Sequence, residues 1–172
     1  MTNDAVFTSG VVDMRVNVGI DVSKDSLDFC LLLNHTKSGR KFRRFKSRKI
    51  DYSIINDWVL KLSKCQPNEV VITMESTGVY HEAIALYLHT SGFQIIISNP
   101  GKAKKFSQSL GLIHKTDKSD SYMLARYGNA QYEHASFWKP DAENVRSIKA
   151  LVRRLSSLEK DRLRENNRLE PA

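Results

Sequence analysis

The first regular pattern is an alternation. Val16, Val18, Ile20 and Val22 are separated by Asn17, Gly19 and Asp21, which predicts a strand over 16–23. A short turn, Lys24-Asp25-Ser26, leads to a second apolar run, LDFCLLL (27–33), and the two read as a hairpin. GRKFRRFKS (39–47) places Phe42 and Phe45 among basic residues and predicts a third, half-exposed strand. In KIDYSIINDWVLKLSK (49–64), Ile50, Ile54, Trp58 and Leu62 recur every four residues, an apolar stripe that predicts an amphipathic helix. EVVITME (69–75) and FQIIISNP (93–100) are short β-branched runs of the kind found in buried strands, the second stopped by Pro100. Between them GVYHEAIALYLHTSG (78–92) predicts a helix ending at Gly92. GKAKKFSQSLG (101–111) predicts a short basic helix, and another begins near Asp117.

Strands linked by helices imply parallel pairing, and the opening hairpins imply antiparallel pairing. The expected class is therefore α/β, a mixed sheet with helices on its faces. Beyond Trp138-Lys139-Pro140, residues 143–170 form one long helical pattern. Ile148, Leu151, Leu155 and Leu158 make a heptad seam, Arg162 and Glu165 interrupt it, and Leu169 resumes it. The expected organisation is a flexible tail over 1–14, an α/β domain over 15–138 and a long helix within 141–172 that self-associates.

Composition narrows the class of partner. With 172 residues, 41% apolar and 27% charged, the chain suits one domain with an appendage. No apolar run approaches membrane-spanning length, and the N-terminus has no signal-peptide pattern. Cys30 and Cys65 are read as reduced, structural residues, with no zinc spacing. The net charge of +8 points to polyanions. The excess is concentrated between Lys37 and Lys49, including Lys41, Arg43, Arg44 and Lys46, and again at Lys102, Lys104 and Lys105. With Lys115 these are the candidate nucleic-acid contacts.

Against this background four acids stand out. Asp117 and Asp120 lie three apart at a helix start, on the stripe that continues with Leu124 and Tyr127. Thr116 or Asp117 suits an N-cap and Asp120 a first-turn acid. On the inward stripe, however, two like charges repel and lose hydration. Asp21 stands at the end of a central strand, and Glu75 closes another just before Ser76-Thr77-Gly78. Sites in α/β sheets form at such strand ends. Each acid alone also suits a turn or a cap. Together they suggest oxygen-only ligation of Mg²⁺ or Mn²⁺, the arrangement that serves phosphoryl transfer. Ser76 is read as a turn or cap residue.

The segments NVGIDVSKDSLDFCLL and MESTGVYHEAIALYLHTSGFQIIISNPGKAKKFSQSLGLIHKTDKSDSYMLARYG resemble the N-terminal domain of the IS-one-ten family of insertion-sequence transposases. These are the DEDD recombinases, which include Piv-type DNA invertases and bridge-RNA-guided recombinases. The similarity runs over about residues 16–170, with the acids embedded in GIDVSK, MESTG and KTDKSD. The resemblance implies a RuvC-like, ribonuclease-H-like fold, with Asp21, Glu75, Asp117 and Asp120 as the catalytic, metal-binding acids. It also implies DNA as partner, a guide RNA in some members, and a cytoplasmic, nucleoid-associated place in a bacterial or archaeal cell. Family members continue into a second domain that carries a serine nucleophile. This chain stops at Pro171-Ala172, so a truncated product is expected, one that binds nucleic acid but does not recombine it alone. The alternatives are a free-standing RuvC-like endonuclease using water, an actin- or sugar-kinase-like ATPase, and an inactive binding or dimerisation module. The ATPase reading needs a glycine-rich loop where this chain has Val22-Ser23-Lys24.

Overall fold

The computed structural model describes residues 15–33, 39–76, 80–111 and 116–169. The expected tail over 1–14 lies outside them, as do Lys37 and Lys115. The elements, in chain order, are β1 (Val16–Val22), β2 (Ser26–Leu32), β3 (Arg40–Lys46), α1 (Tyr52–Ser63), β4 (Val70–Glu75), α2 (Tyr80–Thr90), β5 (Gln94–Ser98), α3 (Pro100–Ser109), α4 (Asp117–Gln131) and α5 (Glu143–Leu169). Two compact units meet at residue 138: one holds the sheet and α1–α4, the other holds α5.

The five strands make one sheet in the order β3-β2-β1-β4-β5. β1, β2 and β3 pair antiparallel, whereas β1–β4 and β4–β5 pair parallel. This is the mixed sheet with flanking helices, followed by a long final helix, that the sequence predicts. The β1–β2 turn closes tightly, with the Ser23 N–H donating to the Ser26 carbonyl at 2.9 Å. That leaves Lys24 and Asp25 as a two-residue loop, which sets the register of both strands.

Alternation divides the sheet into two buried faces. On one, Val18, Ile20, Phe29, Ile72, Met74 and Ile95 pack against Ile55 and Val59 of α1 and Ile84 and Leu88 of α2. On the other, Val71 and Ile96 meet Leu124 and Tyr127 of α4 and Ala103 of α3, while Cys30 and Leu32 meet Ala125. Two expectations need correcting. The fully buried face of α1 is Tyr52, Ile55 and Val59; Trp58 and Leu62 are half-buried and pack against the same core as expected, whereas Ile50 and Ile54 are exposed. Four residues turn 400° on a 3.6-residue helix, so a strict four-residue series drifts off any one face. Pro100 does not merely stop β5. It is the first residue of α3, behind an Asn99 cap whose side-chain oxygen accepts from the Gly101 and Lys102 N–H groups.

Helix α4 rests on β1 with almost no space between them. A methyl group on Gly19 would stand 1.9 Å from the Ser121 carbonyl oxygen and 2.4 Å from the Ala125 nitrogen, both backbone atoms. One on Gly128 of α4 would stand 2.0 Å from Thr73 Oγ1. At the far end, Asn17 Nδ2 donates to Asn129 Oδ1 at 3.2 Å. Ser121 therefore sits over Gly19 and Asn129 over Asn17, so α4 runs antiparallel to β1. α5, taken by itself, buries no residue and exposes Ile148, Leu151, Val152, Leu155 and Leu158. Among the described residues no helix is long and apolar enough to cross a membrane.

Gly19→Ala should lower the free energy of unfolding by about 1–3 kcal/mol or more, the range for overpacking, because the neighbours are backbone atoms that cannot give way. Urea denaturation reads it as a lower midpoint at unchanged slope. The buried Cys30 thiol is pushed up to about 12 by desolvation, with Arg40 opposing weakly. Only the thiolate reacts, so a disulfide reagent at pH 8 should leave Cys30 unmodified until denaturant is added. Between the ordinary value of 9.0 and about 12, only the unfolded chain's thiol ionises. The Cys30 contribution to stability is therefore intact below that window and lost across it, which a Cys30→Ala chain would not show.

Candidate active site at the carboxyl ends of β1 and β4

Asp21 and Glu75 are brought together by strand register. The last parallel pair of β1 and β4 is Ile20 with Met74, and the two acids are the next residue on each strand. Ile20 and Met74 face α1 and α2, so Asp21 and Glu75 face the α4 side. Both are half-buried. Because α4 runs antiparallel to β1, its first turn reaches this same end of the sheet. Asp120 is half-buried there, one residue before the Ser121 that lies on Gly19. Leu124, one turn further along the Asp120 stripe, packs on the β4–β5 side.

The local sequence explains the helix start. Thr116 is the N-cap and accepts from the Ser119 N–H at 3.1 Å, while Ser119 Oγ accepts from the Thr116 N–H at 2.7 Å. This reciprocal box satisfies two end groups that helices otherwise leave open. The cap therefore falls on Thr116, and Asp117 is the first helical residue. Its side chain lies outside the described set. Among the described residues, no three Asp, Glu, His or Cys side chains lie together closely enough to hold a metal ion.

A fifth acid belongs to the same row. Asp28 is the direct cross-strand partner of Asp21, and Arg44 is the partner of Asp28. Glu75 in turn pairs with Ser98. Arg44, Asp28, Asp21, Glu75 and Ser98 thus form one line across all five strands. Arg44 Nε donates to Asp28 Oδ1 at 2.8 Å, which offsets the like charges facing each other across β1 and β2. Asp28 went unnoticed in the sequence because it sits inside an apolar run. The two-residue turn at Lys24-Asp25 held the signal, since it pairs the residues equidistant from it.

The basic candidates divide between the two faces. Arg44 and Lys46 share the face of the acids, being paired with Asp28 and Ser26. Lys41 and Arg43 point to the opposite face, where the Arg43 guanidinium lies 4.6 Å from the Phe45 ring centre. Lys102, Lys104 and Lys105 are exposed on α3, which begins immediately past the end of β5. Positive charge thus borders the acidic end on both flanks, from β3 and from α3.

Several known proteins are similar to this chain. Pilin gene-inverting proteins of Moraxella lacunata and Moraxella bovis are 27% and 26% identical over 156 residues, 91% of this chain. The chain spans 47% of the length of each. A transposase for insertion sequence element IS1533 of Leptospira borgpetersenii is 32% identical over 112 residues, covering 65% of this chain and 30% of that protein. Among solved structures, Thermus thermophilus RuvC in complex with a Holliday junction substrate aligns with 72% of this chain and 99% of its own, at a TM-score of 0.49 and 14% identity. The family model of IS110-type DEDD transposases, described as Transposase, matches residues 18–172, and the chain belongs to that family.

Proposed function

We propose that Asp21, Glu75, Asp117 and Asp120 are the carboxylates of a divalent-metal site for phosphoryl transfer on DNA, used in transposition or site-specific recombination. The observation that carries the reading is the placement of Asp21 and Glu75 at adjacent parallel strand ends, on the face that receives the first turn of α4. The donors are all carboxylate oxygens, which suit Mg²⁺ or Mn²⁺ and not a thiol- or imidazole-preferring ion. Bound there, such an ion would neutralise and polarise a phosphodiester. The chain's own part is to hold the acids on a rigid sheet and helix, and to border them with bases. Arg44 on one flank and Lys102, Lys104 and Lys105 on the other draw the nucleic-acid backbone toward the acids. DNA is the substrate we assign, and a guide RNA is a second polyanion that the same charges would accept.

α5 supports a separate part of the reading. Ile148, Leu151, Leu155 and Leu158 form an exposed stripe on a 27-residue helix, with heptad spacing. We assign it to self-association, in which a second copy covers the stripe.

Mn²⁺ titration followed by electron paramagnetic resonance tests the metal site. Asp21→Asn, Glu75→Gln, Asp117→Asn and Asp120→Asn should each weaken binding at least about tenfold, the scale seen on disturbing metal shells. Saturating metal should raise the melting temperature of the unaltered chain and not that of the fourfold variant. Equal Mn²⁺ binding by the fourfold variant would refute the site. For α5, sedimentation should show an oligomer that Leu151→Asp with Leu155→Asp converts to monomer. A monomeric unaltered chain would reject self-association.

A further inference from the structure

On the solvent side of the Asp28–Arg44 pair is a cleft of about 580 Å³, lined by Asp28, Phe42, Arg44, Thr116, Lys118 and Ser121 among others. It lies between the outer strands of the sheet and the first turn of α4, on the β2–β3 side of the acidic row. Its size falls within the range of small-ligand sites. Phe42 pairs with Cys30 and Arg44 with Asp28, so both side chains stand on the face of the acids. Arg40 and Lys46 extend the same line along β3. The guanidinium of Arg40 lies 4.7 Å from the Tyr122 ring centre. A basic edge strand has an ordinary reading, because charge on an edge discourages pairing with other chains. Phe42 does not fit it. The ring is 38% exposed, on an edge strand, and an apolar residue there favours the unwanted pairing.

Alternating bases and one exposed ring beside a phosphoryl-transfer site have a clear chemical complement. We propose that the cleft seats one unpaired nucleotide next to the reacting phosphate, with its base stacked on Phe42 and its phosphate paired with Arg44 and Lys118. The inference rests on the function proposed above and adds the form of the substrate. In a duplex both faces of a base are covered by its neighbours. Only an unpaired base can offer a face to the ring. Stacking of this kind together with a basic track is how single strands are held without reading their sequence. Asp28 has the role of a positioning residue: it fixes the Arg44 guanidinium through Nε at 2.8 Å and so presents it to the cleft. The same row that carries the acids thus continues, through Asp28 and Arg44, into the seat for the strand.

The test uses the 172-residue chain in metal-free buffer. Anisotropy is measured with a short single strand containing a fluorescent purine analogue, made as DNA and as RNA, and with a blunt DNA duplex. In the unaltered chain the analogue should be quenched by stacking. Phe42→Leu should lower single-strand affinity about tenfold, abolish the quench and leave duplex affinity unchanged. Phe42→Trp should restore both. Asp28→Asn should weaken single-strand binding while keeping the quench. The DNA and RNA arms show which strand is preferred, and a quench in either supports the seat. Absence of any quench in the unaltered chain overturns the proposal, a result that does not depend on the folding of a variant. Equal loss on strand and duplex for Phe42→Leu also overturns it. Mn²⁺ binding that depends on the four acids in the titration above, with no quench here, removes the seat alone. A Phe42-dependent quench without metal binding removes the phosphoryl-transfer reading and leaves the seat in place.

Discussion

Helix α4 lies so close to β1 that no side chain fits between them at Gly19. The Ser121 carbonyl and the Ala125 nitrogen occupy the space a methyl group would need. Gly128 repeats the arrangement from the helix side, against Thr73 of β4. Backbone-to-backbone packing of this kind leaves the helix little freedom to slide or tilt, since interiors are close-packed and deform poorly. The Asn17–Asn129 hydrogen bond pins the other end. The first turn of α4 therefore has a definite place, over the carboxyl ends of β1 and β4. The position of Asp120, the wall of the cleft and the relation of α3 to the sheet all follow from this contact.

Electrostatics depends on the same geometry. The strands carry Asp28, Asp21 and Glu75 in one row, and a row of acids is costly unless opposite charge is near. At the β2–β3 side Arg44 provides it directly, through a pair whose carboxylate is well buried and whose guanidinium is more than half exposed. Surface pairs alone contribute little to stability. Here the pair lies beside like charges, and its main effect is to hold a cation at the border of the acidic end. The three lysines of α3 border it from the other side. The net charge of +8 is thus arranged around a small negative centre. In the function proposed above, that pattern would draw a phosphate backbone toward the acids and leave the centre to cations.

The order of elements, the mixed pairing and the two-sided burial of the sheet were all legible in the sequence, because period-two and helical periodicities are local properties of the chain. Asp21 and Glu75 were legible as acids at strand ends for the same reason. The Thr116 cap left its choice between two residues open until hydrogen-bond geometry settled it. The inner face of α1 was read correctly at Trp58 and Leu62 but not at Ile50 and Ile54, because a four-residue spacing approximates but does not equal the helical repeat. The tertiary structure alone decided the rest. Register put Asp28 opposite Asp21 and Arg44 opposite Asp28, and it split the basic cluster so that Arg44 and Lys46 face the acids while Lys41 and Arg43 do not. Those relations join residues from different strands, and strand pairing is set by turns and by the packing of whole faces. The direction of α4 depended on which glycine met which backbone atom. A glycine in a strand looks the same in sequence whether it weakens the strand or admits a helix, and the difference exists only once the helix has docked.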